Sequence, residues 1–284
     1  MRRLFHSTRM WVAAIIVSLI ISTSLAAPVL APYSPVRQDS LAILTPPDAK
    51  HLLGTDSFGR DILSRLVWGG RLSLSVSFTA SLLALLAGAS IGLVTGFFGR
   101  LVDLVAMRFI DALMTFPSLL LALAILTSTG PSFAALILAI GLVYVAPFAL
   151  LSRALTLRER EREYVLASVA CGSSDSRALL RHVLPNVLPA LFVQFSITLP
   201  LTLLAESSLS FLGFSASPAA PSWGRMVFEA SRFLHAPHAI LAPTLSLSSL
   251  ILSLNIVAIS LREALDPTLR HAAPLVDRGR PSGS

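Results

Sequence analysis

Lysine is nearly missing from this sequence. Lys50 is the only one, so arginine supplies the other 21 of 22 basic residues. A phosphate-binding Walker A loop needs a lysine that follows glycines. Lys50 is followed by His51 and lies in no such loop, so the chain is not its own nucleotide-driven motor. Cysteine is equally scarce: Cys171 stands alone, which excludes an intrachain disulfide and a paired-cysteine metal site. No HExxH pair occurs, and the one Gly-x-Ser-x-Gly string, Gly88-Ala89-Ser90-Ile91-Gly92, lies inside a long apolar run rather than at the strand-to-helix turn a nucleophile elbow needs. Charge is the third deficit. Charged residues make up 13% of the 284 and hydrophobic ones 54%, with a mean hydropathy of +0.77. Soluble domains carry about 25% charged residues.

The missing charge is concentrated in long windows that have none, and a membrane span needs about 20 mostly apolar residues. We read six spans: Met10–Leu30, Leu72–Gly96, Val105–Leu126, Ser132–Leu151, Val187–Phe211 and Ile240–Leu261. The expected fold is an all-α polytopic membrane protein with six transmembrane helices. The first run follows a basic MRRLFHSTR and precedes a passable cleavage site at Ser24-Leu25-Ala26. Its length favours an uncleaved anchor over a removed signal peptide. The net charge of +7 does not indicate nucleic acid, because the arginines sit in loops between spans. Those loops orient the chain by the excess of basic residues on the cytoplasmic side. With the N-terminus inside, fifteen basic residues lie in the cytoplasm and seven outside. Both termini are then cytoplasmic. Residues 1–71 form an N-terminal segment with the first span and an external stretch. Residues 72–265 form the main membrane domain, and 266–284 a tail of disordered composition.

The polar stretch REYVLASVACGSSDSRALLRHVLPNVLP (162–189) separates spans four and five. It reads as a helical hairpin. A first helix over Glu161–Ala170 ends at Gly172, which permits a tight turn. Ser174 or Asp175 can cap a second helix, which Leu184-Pro185 stops. Its apolar positions (Val165, Leu166, Val169, with Tyr164) suit a partner groove; a surface helix on lipid would look similar. Prolines 117, 147 and 200 fall inside spans three, four and five, and small residues Gly88, Ser90, Gly92 and Gly96 line span two. Both features fit close helix packing in a bilayer.

The hairpin resembles the cytoplasmic EAA loop of bacterial ABC importer permeases. Ala167, Gly172, Leu184 and Pro185 fall on that pattern, while Leu166 replaces its glutamate, Ser168 an alanine and His182 an isoleucine. HLLGTDSFGRDILSRLVWGGRLSL (51–74), VDLVAMRFIDALMTFPSLLLA (102–122), AESSLSFLGFSASPAAPSWGRM (205–226) and REALDPTLR (262–270) resemble, in order, segments of the dipeptide, oligopeptide and nickel permeases, C-type subunit. The resemblance covers nearly all of residues 10–270. It implies the type I ABC importer permease fold in the bacterial inner membrane, with a second, B-type permease, two ATPases and an external solute-binding protein as partners. It implies no cofactor on this chain, ATP and magnesium being held by the ATPases. Glu163, Tyr164, Leu166, Ala167, Ser168, Gly172, Leu184 and Pro185 would couple the chain to an ATPase. The expected solute is a di- or oligopeptide. REYVLAS and the compact N-terminus also resemble nickel permeases. An autonomous channel or ion-coupled carrier is the alternative of another class, and it would bring mid-membrane charge pairs and an inverted repeat.

A few other residues stand out. Glu206 is an ionisable group in an apolar run, which makes it a pathway candidate. It lies roughly 28 Å along span five at 1.5 Å per residue, near the outer face, where it could reach water. Asp103, Arg108, Asp111 and Pro117 are gate candidates at span three, with Arg108 and Asp111 spaced to pair on a helix. Gly54, Thr55, Asp56, Gly59, Arg60 and Asp61 read as a tightly turned external element, with Asp56 capping a helix from about Phe58. That helix is expected to lie flat at the outer interface as an anchor. Contact with a partner protein is its second reading. His235 and His238, split by Pro237, read as a loop pair without metal.

Overall fold

The computed structural model describes residues 8–217, 220–233 and 235–265. The tail from 266 onward, most of the last motif and the basic residues at 2, 3, 270, 278 and 280 lie outside the described residues. Among the described residues eleven α-helices follow one another: α1 Thr8–Leu25, α2 Ala27–Leu30, α3 Ile62–Phe98, α4 Arg100–Met114, α5 Ser118–Thr129, α6 Phe133–Arg160, α7 Glu163–Ala170, α8 Asp175–Ala178, α9 Leu184–Phe211, α10 Trp223–Ala230 and α11 Pro237–Leu265. Among the described residues there is no β-strand, only one isolated bridge between Thr55 and Asp61.

The centre of the bundle is the pair α3 and α6, which have the most extensive contact of any two helices. Sequence explains the closeness. Gly88, Gly92 and Gly96 stand four apart on one face of α3. A Cβ on Gly92 would sit 2.3 Å from the Ala149 carbonyl oxygen, and one on Gly88 2.5 Å from that of Val145. Only hydrogen fits there, so the backbones touch as small-residue stripes allow in lipid. The Ser152 hydroxyl then reaches the Ala89 carbonyl at 3.0 Å, and Arg160 reaches that of Phe97 at 2.7 Å. Gly141 opposes Ala80, Gly92 opposes Ala149 and Gly96 opposes Thr156. The two helices therefore run parallel.

That parallel pairing settles how span three crosses. The expected single helix is instead α4 and α5, bent by 93° at Thr115–Pro117. Pro117 has no N–H to continue the first helix, and its ring bars residue 116 from helical geometry. Since α3 and α6 are parallel, the chain between their ends must return across the bundle. The bent pair is thus a broken span, and with the five long apolar helices it makes six.

Two further boundaries differ from expectation. The helix that was to lie flat before span two is the first part of α3 itself, which is continuous from Ile62. It begins about ten residues before the level of α6, an overhang of about 15 Å. Leu184-Pro185 does not stop the second arm of the hairpin. A π turn over Leu179–Val183 links α8 to α9, and the Leu184 N–H bonds the Leu179 carbonyl five residues back. The wider turn accommodates a proline that can neither donate nor sit close to the preceding turn. One run from Asp175 to Phe211 results.

Ser24 at the end of α1 packs on Gly70, and His238 at the start of α11 packs on Gly54. Both contacts are at the overhang end of α3. The starts of α1 and the ends of α3, α6 and α11 thus gather at the end that carries the hairpin.

Candidate functional site

At one end of the bundle the chain builds the hairpin. α7 starts at Glu163, two residues later than expected, with Arg162 in extended geometry before it. Gly172 ends the turn at φ +90°, where a side chain would be strained. Ser174 occupies the cap position of α8, yet makes no side-chain capping bond. Val165 is the buried anchor of α7. It packs with Ala178, Leu179, Val183 and Val187, which draws the arms together. Leu166 and Val169 face outward, 56% and 40% exposed, with Ala167 and Ala170 beside them. Ser168 is half-buried, Glu163 is exposed, and Leu184 and Pro185 sit at the joint with α9. The Tyr164 hydroxyl donates to the Glu159 carboxylate and accepts from Asn186 Nδ2 at 3.0 Å.

Next to the hairpin, Arg153 of α6 grips Asp103 of α4 with two hydrogen bonds of 2.5 and 2.6 Å. The expected Arg108–Asp111 pair does not form: both side chains are exposed, and among the described residues no ion pair joins them. Asp103 sits fifty residues before its true partner, beyond the reach of a spacing argument. Pro117 is exposed at the bend.

The opposite end carries the element at residues 54–61, and it is denser than the sequence suggested. Gly59 lies at φ +68°, where a Cβ would fall 1.8 Å from the Asp39 carbonyl oxygen, so the loop closes only on glycine. Asp61, not Asp56, caps α3: its Oδ2 accepts from the Ser64 N–H at 2.7 Å and from the Ser64 hydroxyl at 2.6 Å, while Oδ1 meets His51 Nδ1 at 2.9 Å. Asp56 instead accepts the Phe58 and Arg60 N–H groups at 2.8 and 3.0 Å. Its other oxygen accepts from Arg60 Nε at 2.7 Å and from Arg65. Thr55 ties the loop to residue 45, accepting its N–H at 2.9 Å, and Gly54 backs onto His238.

The partner that completes this cluster is Glu229 of α10, which sequence reading missed. It accepts from Arg60 at 2.5 Å, from Arg65 at 2.9 Å and from Arg225 at 2.9 Å. Burial pushes its carboxyl up, but Arg65, Arg225 and Arg60 together outweigh that and hold it below the usual range. The four-residue spacing of Arg225 and Glu229 was the one local signal. The 212–239 segment, rich in proline and serine, had concealed the helix.

Glu206 is fully buried and does not reach water. Ser210 donates to its Oε1 at 2.8 Å and Ser207 lies 3.4 Å from Oε2. α10 covers it: Gly224 approaches the Ser207 backbone so closely that a Cβ would lie 2.1 Å from its oxygen. That cover was not legible in the sequence. His235 stacks edge-on against Phe233, apart from His238. Among the described residues no group of three or more His, Cys, Asp or Glu side chains could hold a metal.

The comparisons with known proteins agree with this architecture. Residues 88–271 match the family described as binding-protein-dependent transport system inner membrane component, and residues 1–47 match the N-terminal TM domain of oligopeptide transport permease C. The dipeptide transport system permease protein DppC of Alkalihalophilus pseudofirmus is 37% identical over 260 residues, 91% of this chain and 86% of that one. The glutathione transport system permease protein GsiD of Pectobacterium atrosepticum is 35% identical over 260 residues, with the same coverage of 91% and 86%. The MetNI methionine ABC transporter, solved in inward-facing conformations, superimposes with a TM-score of 0.58 at 16% identity, over 71% of this chain and 96% of that one, a likeness of fold. The six-span bundle with its interrupted third span, the hairpin before α9 and the matches along both parts of the sequence make this chain a member of the binding-protein-dependent ABC importer permeases, in their peptide-permease C branch.

Proposed function

We propose that this chain forms half of a translocation pathway for di- or oligopeptides across the bacterial inner membrane. A second, B-type permease supplies the other half. Two ATPases bind at the hairpin end, and a solute-binding protein delivers from the overhang end. The hairpin is cytoplasmic in this reading, as are both termini, in line with the fifteen-to-seven bias of basic residues.

The observation that carries the reading is the outward face of α7. Leu166 and Val169 stay exposed on a hairpin whose inner face is anchored by Val165. An exposed apolar pair on a rigid, polar-flanked helix fits an apolar groove on a partner. Leu166 stands where the family has a glutamate, so contact here rests on apolar burial rather than on charge. The peptide reading over nickel is supported by the dipeptide and glutathione permeases among the relatives.

The test is affinity purification of the tagged chain from membranes in mild detergent, beside Leu166→Asp. Two ATPases and a second permease should accompany the wild-type chain, and Leu166→Asp should lose the ATPases but keep the permease. A homo-oligomer without ATPase would instead support an autonomous channel or carrier. In liposomes, ATP hydrolysis by the purified complex with its binding protein should rise with dipeptides. A rise with nickel alone would reverse the solute assignment.

A further inference from the structure

The Tyr164 hydroxyl occupies an unusual position. It belongs to α7, donates to Glu159 near the end of α6, and accepts from Asn186 in the first turn of α9. One oxygen thus joins both flanking spans to the helix between them. Asn186 is itself held: its Nδ2 also donates to the His182 carbonyl, inside the π turn, at 2.7 Å. The Tyr164 ring lies edge-on to His182, centroids 6.3 Å apart. Other polar links between α7 and the spans are weak, since the Arg162–Glu159 contact at the start of α7 spans 4.0 Å.

We infer that Tyr164 is a positioning residue for transport, the strut that makes α6 and α9 move together when the hairpin moves. The inference rests on the coupling role proposed above. The reason is mechanical. Val165 holds α7 by non-directional apolar contact, which lets a helix slide or roll. A hydrogen bond is directional and weakens steeply off its axis. The π turn makes the second arm the pliant one, because such turns interrupt the regular ladder of helical bonds. Displacement of α7 would therefore bend the joint at Leu179–Val183 unless Tyr164 passed it on to Asn186, beyond that joint. The strut works as a neutral phenol. Partial burial and then the Glu159 carboxylate both push Tyr164 above its ordinary range, so the proton it donates stays in place.

The experiment uses the complete transporter in liposomes with its binding protein, and measures solute taken up and ATP hydrolysed in the same vesicles. Tyr164→Phe removes only the hydroxyl. Uptake per ATP should fall by about tenfold or more, the scale of one charge-assisted hydrogen bond, with the ATPases still bound at wild-type stoichiometry. Asn186→Ala should give a similar fall, and the double variant no more than either alone, since both break one link. An unchanged ratio in Tyr164→Phe would overturn the inference, and so would independent, multiplying losses. Loss of the ATPases from Tyr164→Phe would overturn it as well, because the residue would then be part of the docking face. If Leu166→Asp retains its ATPases, the coupling reading itself fails, which is a separate outcome.

Discussion

The two ends of the bundle use charge in opposite ways. At the overhang end, five charged groups (Asp56, Arg60, Arg65, Arg225 and Glu229) are drawn out of water and joined to one another. At the hairpin end, charges stay largely in solvent while apolar side chains stand exposed. A buried ion cluster costs desolvation and is tolerated only when nearly every group is satisfied. It therefore fixes a single arrangement, here of α10 against the start of α3. An exposed apolar face has the reverse character, gaining when something covers it. The charges of the overhang end are satisfied within this chain, while the hairpin end keeps apolar surface exposed, the kind of face the proposed ATPase contact would cover.

The sharpest way to break this contrast is Glu229→Ala. It leaves Arg60 and Arg65 sharing Asp56, and Arg225 with the Ser215 hydroxyl in place of a carboxylate. Removing one partner of a buried ionic group costs about 3–5 kcal/mol, because the others remain buried and uncompensated. A thermal melt of the purified chain should drop accordingly. Leu166→Asp should leave that melt unchanged, since the Leu166 side chain is already in solvent. Equal losses from the two substitutions would erase the distinction between a finished end and an open one.

A smaller, graded version of the same test uses pH. The Glu229 carboxyl is held below its usual 4.5 in the folded chain. A depressed folded value means the stabilisation is fully present above 4.5 and is lost as pH falls through the lowered value. Stability at the overhang end should therefore decline only in acid, below the ordinary carboxylate range. Trp223, packed on Gly69 and Gly70, can report it by fluorescence in a chain whose Trp11 and Trp68 are replaced by Phe. Glu229→Gln should flatten this dependence. A transition that is unchanged in Glu229→Gln would place the sensitivity elsewhere.

The same contrast shows what sequence could reveal. The hairpin was legible because its information is local: apolar positions, a glycine and a change from oil to polar residues fall within thirty positions. So was the turn chemistry of Gly59 and Asp61, though the cap was placed on Asp56, a turn too early. The ion cluster was hidden because Glu229 meets Arg60 and Arg65 across 169 and 164 residues. The Asp103–Arg153 grip was hidden for the same reason. Hydropathy gave span three its existence but not its shape, since an average along the chain is blind to direction. Pro117 carried that information, and a proline within a span is compatible with a kink or with a break. Glu206 was expected to reach water, but it is buried where α10 packs over the Ser207 backbone, and no local pattern encodes that cover.

The mildest test lies at the hairpin's tip. Gly172 sits at φ +90° with nothing within 4 Å of where a Cβ would be, so Gly172→Ala meets strain of the backbone alone. A left-handed residue other than glycine costs about 1–2 kcal/mol. At the overhang end, Gly59→Ala adds a collision with the Asp39 carbonyl to a similar strain. If the hairpin is an open, locally held element, Gly172→Ala should loosen the tip without lowering the global melt. Faster amide exchange confined to residues 163–178 would show this. Gly59→Ala should lower the melt itself, because its loop is tied through Asp56 into the ion cluster. Exchange that spreads from Gly172→Ala into α6 and α9 would mean that the hairpin is built into the bundle as tightly as α10 is, and that the open end is open only at its surface.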